Sequence, residues 1–167
     1  MNLRLVLFST LSALLFLTGC STHGYTYHYV PGKTATLQDG VAISPEDAPD
    51  AVQAAIAAGN RIAGLPYRYG GGHGSGEDSG YDCSGSVSYV LRGAGLLDGC
   101  MPSGSFRRYG RSGDGDWITI WARSGHVFMS VAGLRFDTGW HGQNEGPRWT
   151  KKSRPGAHYE LRHPSGL

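Results

Sequence analysis

The chain has 167 residues, a length that suits one domain of ordinary size rather than two. Its 15 basic and 13 acidic side chains give a formal net charge of +2, so it lacks the strong basic excess typical of a nucleic-acid-binding protein. The 27 glycines favour a loop-rich domain over a helical bundle, and the hydrophobic content of 40% excludes global disorder.

The first residues have the features of a secretion signal. Residues 3–17 form a mostly apolar run with one early positive charge, Arg4. This run is short for a membrane span and has the length of a signal-peptide core. It ends in the sequence LTGC, and small residues followed at once by cysteine resemble the lipobox of bacterial lipoproteins. The resemblance implies that residues 1–19 are removed and that the Cys20 thiol carries a diacylglycerol.

The rest of the chain divides into a tether and a domain. Residues 20–43 are polar and lack a helical period, so we interpret them as the lipidated N-terminus and a flexible tether, with the folded domain at 44–167. Besides Cys20 there are two cysteines, Cys83 and Cys100. An oxidising compartment would favour pairing them, but a disulfide would silence a catalytic Cys83. We therefore expect two free thiols and a dispensable Cys100.

Helical patterns come first in the predicted domain and strand patterns follow. Ser44, as N-cap before a proline, predicts the start of a helix that Gly64 and Pro66 end. A glycine-rich loop then precedes a second helix. Later the period changes to two, which indicates strands with a tight turn at Gly133. The predicted segments are a loop at 65–82, a helix at 84–94, and strands at 117–121, 126–131, 134–137 and around 159–161. This order predicts an α+β domain with an antiparallel sheet.

The sequence Asp82-Cys83-Ser84-Gly85 stands where the glycine-rich loop meets the second predicted helix. A cysteine attacks as the thiolate, and the free N–H groups and the dipole at a helix N-terminus favour that anion. The same N–H groups can stabilise an oxyanion. A lone cysteine is often a buried and inert residue, so catalysis requires a partner elsewhere in the chain.

A candidate partner is His126, the first residue of an apolar predicted strand. At that position the ring can point into a cleft while the following residues hold the strand in the core. A single histidine is usually a surface or satisfied core residue. A cysteine at a helix start together with a histidine on a later strand is, however, the arrangement that activates a thiol.

These motifs, in this order, resemble the NlpC-type family of bacterial cell-wall cysteine peptidases, which have a papain-like core. The resemblance covers about residues 60–167 and includes PYRYGGG, DCSG, GDW before a strand, and GHV. The stretches DCSGSVSYVLRGAGLL, GHVFMSVAGLRFDT and the terminal RHPSGL resemble members with glycine-rich loops. The resemblance implies N-terminal helices packed on an antiparallel sheet, with the active site in a cleft.

The resemblance also assigns roles to individual residues. Cys83 matches the nucleophile, His126 the base, and Tyr67 a tyrosine beside the nucleophile that helps hold the oxyanion. Family members usually have histidine, asparagine or glutamine as the residue that orients the base. Here the position falls on Asp137, a departure that a carboxylate can fill chemically, with His141 as the rival. The motif neighbours Asp82, Ser84 and Gly85 support the nucleophile, and we expect Asp82 to brace the loop rather than transfer protons.

The implied reaction is hydrolysis of peptidoglycan stem peptides at the bond between D-glutamate and the diamino acid. We expect no cofactor and no metal, since the sequence has no CxxC or HExxH spacing. We also expect a monomer that binds peptidoglycan and no nucleic acid. Two alternatives stay open: a catalytically silent lipoprotein that binds peptidoglycan or a partner enzyme, and other cysteine-dependent amide or acyl chemistry on the same fold.

The expected location is outside the cytoplasm, on a membrane through Cys20, and Ser21 after it indicates the outer membrane in a Gram-negative host. We predict that Cys20→Ser leaves uncleaved precursor or releases soluble protein, because it removes the thiol that would carry the lipid. Cell fractionation and mass spectrometry of the mature N-terminus measure this. A wild-type protein without lipid would contradict the prediction.

Overall fold

The structure is a computed structural model that describes residues 24–139 and 145–167. It has two α-helices, a 3-10 helix and eight strands within these residues. The helices are α1 (Asp50–Ile62) and α2 (Cys83–Gly93), with the 3-10 helix at Ser103–Arg108. The strands are β1 (Thr36–Gln38), β2 (Val41–Ile43), β3 (Arg111–Ser112), β4 (Ile118–Arg123), β5 (His126–Val131), β6 (Leu134–Asp137), β7 (Arg148–Thr150) and β8 (Glu160–His163). The prediction of an α+β protein is confirmed.

Six strands form one antiparallel sheet in the order β3-β8-β4-β5-β6-β7, and β1 and β2 form a separate hairpin. Alternation along β5 sends Val127, Met129 and Val131 into a large core that also contains the buried residues of α1 and α2. Phe128 points to the opposite face, where it stacks on Trp121 with ring centroids 4.9 Å apart. The sheet therefore has two buried faces, and the helices cover one of them.

The strands around the predicted site follow the sequence pattern closely. β5 and β6 have the predicted bounds of 126–131 and 134–137, and Gly133 has the positive φ of 72° that their turn requires. α2 begins at Cys83, one residue before the prediction. No helix in the described part of the chain is long and apolar enough to cross a membrane.

The predicted start of the first helix is wrong. α1 begins at Asp50, with Pro49 as its N-cap, and not at Ser44. Pro49 has an extended ψ of 149°, so helical geometry starts only after it. A proline also disfavours helical geometry in the residue before it, which keeps the helix from extending further toward Ser44. The acids and the proline after Ser44 form a turn instead, in which the Ala48 N–H donates to the Pro45 carbonyl.

The prediction of a flexible tether up to residue 43 is also wrong for the described residues. Tyr25 is only 4% exposed, and its backbone pairs with that of Arg154. The hairpin of β1 and β2 then packs against α1, where the Asn60 side chain bonds both backbone groups of Ala42. The buried aromatic ring and these hydrogen bonds make residues 24–43 part of the folded domain.

α1 packs closely on β7 at Gly59. A methyl group added at Gly59 would collide with the indole ring of the buried Trp149. We expect Gly59→Ala to destabilise the protein by about 1–3 kcal/mol, the usual cost of overpacking, although alanine favours helices by about 1 kcal/mol. Chemical denaturation measures the free energy of unfolding. The control is Gly99→Ala, where the new methyl meets no described atom within 4 Å; equal stability of the two variants would contradict the prediction.

Candidate active site

Cys83 is the first residue of α2 and is buried. It is 9% exposed, and the rest of the first turn of the helix is buried. The Asp82 side chain caps the helix by accepting a hydrogen bond of 2.7 Å from the Gly85 N–H. The N–H of Cys83 stands at a position that has no acceptor within the helix, so the thiol has a free donor and the positive end of the dipole beside it.

The Asp82 carboxylate also holds the glycine-rich loop. It accepts from the Gly70 N–H at 3.0 Å and from the Ser84 hydroxyl at 3.0 Å, and the His73 Nε2 lies 3.1 Å from both of its oxygens. Burial alone would raise the pKa of Asp82, but the hydrogen bonds from Gly85, His73 and Ser84 outweigh it and lower the pKa. Asp82 therefore fixes the start of α2 and the glycine-rich loop.

Gly85 is required for the loop to lie against the helix. A side chain at this position would collide with the carbonyl of Gly71, which accepts a hydrogen bond of 3.2 Å from the Asp82 N–H. The final glycine of the DCSG motif therefore has a packing reason: only a residue without Cβ lets the loop backbone approach the first turn of α2.

His126 opens β5 and connects the thiol with a carboxylate. Its Nε2 lies 2.9 Å from the Asp137 Oδ1, which leaves Nδ1 as the ring nitrogen for Cys83. Burial by itself would lower the pKa of His126, but hydrogen bonds to Asp137 and Cys83 outweigh it, so the pKa is raised above its usual value. The histidine is therefore held as a proton acceptor between the two groups.

The Asp137 carboxylate is buried, with a side chain only 1% exposed, and it is fully engaged. Oδ1 accepts from the Thr138 N–H at 2.8 Å in addition to His126. Oδ2 accepts from the Arg154 guanidinium at 2.6 Å, and the Nε of Arg135 lies 3.5 Å away. Neither arginine is among the site residues predicted from the sequence. Because side chains alternate along a strand, Arg135 could have been placed on the same face of β6 as Asp137. No local sequence pattern marks Arg154.

Tyr67 is half-buried and forms an isolated β-bridge with Tyr81, two residues before Cys83. Burial raises the pKa of the Tyr67 hydroxyl, and the nearby Cys83 and Asp82 raise it further. A neutral hydroxyl in this neighbourhood is a suitable donor to an oxyanion.

The remaining candidates lie elsewhere or outside the described residues. Cys83 and Cys100 are free thiols, and the Cys100 thiol donates to the Gly72 carbonyl at 3.4 Å. His141, the rival for the orienting role, lies outside the described residues. Within 24–139 and 145–167, no three His, Cys, Asp or Glu side chains form a group that could hold a metal ion.

A scan against protein-family models found no match to this chain, and a search of curated proteins found no similar sequence. Its chemistry is therefore inferred from the geometry of Cys83, His126, Asp137 and their neighbours.

We predict that Asp137→Ala lowers the pKa of His126, because the variant removes a hydrogen bond and a charge that raise it and leaves burial, which lowers it. The histidine pKa is measured by an NMR pH titration. Alkylation of Cys83 at neutral pH should slow in parallel, by orders of magnitude, as the imidazolium loses its partner.

The matched comparison is His141→Ala, with folding of both variants checked by circular dichroism. We expect this variant to keep the wild-type pKa and alkylation rate. If His141→Ala loses activity and Asp137→Ala does not, His141 is the orienting residue.

Proposed function

We propose that this protein is a cysteine peptidase of the NlpC type, with a papain-like arrangement of its catalytic groups, that hydrolyses peptide bonds in peptidoglycan stems. The observation that carries the proposal is the row of Cys83, His126 and Asp137: a thiol at a helix start that helps to raise the pKa of a histidine, and a buried carboxylate hydrogen-bonded to that histidine.

In the first step, His126 takes the proton of the Cys83 thiol. The product is a thiolate and imidazolium pair. The N-terminus of α2 stabilises the thiolate, and the Asp137 carboxylate stabilises the imidazolium through the hydrogen bond of 2.9 Å. These are the contributions that a Cys–His pair needs at neutral pH.

The thiolate then attacks the carbonyl carbon of the scissile amide, and the carbonyl oxygen becomes an oxyanion. The Cys83 N–H and the Tyr67 hydroxyl are the donors available to it. When the C–N bond breaks, His126 gives its proton to the leaving amine and an acyl-enzyme remains. Water, deprotonated by His126, releases the acyl group and restores the thiol.

The surroundings of His126 fit a substrate that carries carboxylates, as peptidoglycan stems do. Arg123 lies directly opposite His126 in the pairing of β4 with β5, so both side chains point to the same face. It is exposed, its guanidinium lies 5.1 Å from the centre of the Tyr159 ring, and no carboxylate of the described residues pairs with it. A substrate carboxylate could take that place. The bond between D-glutamate and the diamino acid, suggested by the family resemblance, is our proposed target.

We further propose that the mature protein is held on a membrane by a lipid on Cys20, outside the cytoplasm, where peptidoglycan is found. The support is the apolar run followed by LTGC in the sequence. An anchored hydrolase of this kind would need no cofactor and no partner subunit, since all the groups named above come from one chain.

We predict that Cys83→Ala abolishes the release of stem fragments from purified peptidoglycan, because no other described thiol lies beside His126. Mass analysis of the soluble fragments measures both the rate and the bond cleaved. Cys100→Ser is the matched control, a cysteine substitution away from His126, and should keep most of the activity.

Two outcomes would contradict the proposal. Cleavage by well-folded Cys83→Ala would end the cysteine mechanism. A wild-type protein that binds peptidoglycan but releases no fragment, and whose Cys83 reacts no faster than a free thiol, would instead identify a silent binding protein.

A further inference from the structure

Two buried arginines lie behind the catalytic row. Arg135 is 0% exposed and Arg154 is 7% exposed, and both contact the Oδ2 of Asp137. Removing a guanidinium from water is costly unless it is paired, so a buried arginine is retained where its contacts compensate. Two cations around one carboxylate are more than charge balance requires, which points to a role in geometry.

The two oxygens of the Asp137 carboxylate have different partners. Oδ1 takes the hydrogen bonds from the catalytic side, His126 and the Thr138 N–H. Oδ2 takes the ion pair with Arg154 at 2.6 Å. A carboxylate can rotate about its terminal bond, and a partner on each oxygen stops that rotation. Arg154 therefore keeps Oδ1 directed at the imidazole.

Arg154 is itself fixed by its backbone and by a ring. Its N–H and carbonyl form two hydrogen bonds with Tyr25, of 3.0 and 2.8 Å. Its guanidinium lies over the Phe128 ring, 5.0 Å from the centre, and donates to the Tyr159 hydroxyl at 3.2 Å. The guanidinium is thus placed before any substrate binds.

Tyr25 reaches the second arginine as well. Burial raises the pKa of its hydroxyl, which stays protonated and donates to the Gly133 carbonyl at 2.8 Å while accepting from the Arg135 N–H at 3.1 Å. Its ring also lies 5.7 Å from the Arg135 guanidinium. A residue outside the segment that resembles the peptidase family therefore contacts both arginines.

We propose that Arg154, held by Tyr25, is a positioning residue that fixes the Asp137 carboxylate and through it the His126 ring. The inference rests on the proposed function, because it takes Cys83 and His126 as the reacting pair. A purely structural ion pair would affect stability alone. A positioning residue also affects the reactivity of the thiol and the hydrogen bond at His126 Nε2.

The charged and titratable groups that face His126 define what the experiment must separate. They are Cys83 from α2, Asp137 from β6, Tyr159 from the segment before β8, and Arg123 opposite it on β4. The Arg154 guanidinium reaches His126 through its ion pair with Asp137, and it also donates a hydrogen bond to the Tyr159 hydroxyl. Substitution of Arg154 removes no side chain that faces the imidazole.

The test compares Arg154→Met, Arg154→Lys and Arg107→Met in the full mature chain. Arg107 pairs with Glu160 at the surface, so its substitution is a matched removal of a paired arginine away from Asp137. The rate of Cys83 alkylation by iodoacetamide is followed against pH by mass analysis of the Cys83 peptide. The proton shared by His126 Nε2 and Asp137 Oδ1 is followed as a low-field NMR signal, with Asp137→Ala as the reference for its loss.

We expect Arg154→Met to slow alkylation at neutral pH by about 10-fold to 100-fold, the range known for outer partners of metal-bound histidines, and to lose or broaden the NMR signal. Arg154→Lys keeps the positive charge but lacks the planar guanidinium, so it should recover part of the alkylation rate and part of the NMR signal. Arg107→Met should match the wild type. If Arg154→Met does not fold, we expect the alkylation rate of Cys83 to be several-fold lower in Arg154→Lys than in the wild type.

A folded Arg154→Met variant with the wild-type alkylation profile and the wild-type NMR signal would overturn the inference. If Arg154→Met is unfolded, a wild-type alkylation rate and NMR signal in Arg154→Lys would overturn it as well. A wild-type Cys83 that reacts no faster than Cys100 would instead contradict the proposed function. The NMR signal still decides the inference in that case: its persistence in Arg154→Met would overturn the positioning role, and its loss would support it.

Discussion

The geometry around Cys83, the proposed nucleophile, depends on one buried carboxylate, that of Asp82. It caps α2, holds the backbone of the glycine-rich loop at Gly70, and lies within 3.1 Å of His73. A helix start, a loop and a side chain from that loop are thus tied to the same two oxygens. A loop rich in glycine has high conformational entropy, and this carboxylate gives it fixed contacts. The direction of the Cys83 side chain follows from the capped turn.

The opposite half of the site depends on strand register. The pairs Met129–Phe136 and Ser130–Arg135 place Asp137 opposite Phe128, on the diagonal from His126. Diagonal neighbours on one face of an antiparallel pair are close enough for long side chains to meet. A shift of one residue would send Asp137 to the other face. The Gly133 turn, which joins the two strands in this register, therefore helps to bring Asp137 to the imidazole.

Local patterns predicted the parts of the fold that local forces decide. The bounds of β5 and β6 follow from strict alternation around a turn glycine, and the start of α2 follows from an N-cap and an amphipathic run. The start of the first helix differs from the prediction because Ser44 and Pro45 have the sequence of a helix start, whereas the helix begins only after Pro49, whose extended conformation the sequence does not reveal. Cys83 and His126 could be paired from motif and spacing. Arg154 could not, because its contact with Asp137 depends on how the chain returns after β7.

The same limit applies to the N-terminal segment, whose polar sequence gives no sign that Tyr25 is buried. Because Tyr25 is packed into the domain, its burial limits how far the domain can lie from a lipid on Cys20. Tyr25 is five Cα–Cα steps from Cys20, a length of at most about 18 Å when fully extended. With a lipid on Cys20, Tyr25 would stay within that distance of the bilayer, and the domain would be held next to the membrane. A tether ending at residue 43 would have allowed several times that reach, so the burial of Tyr25 shortens the distance from the membrane at which such an enzyme can act.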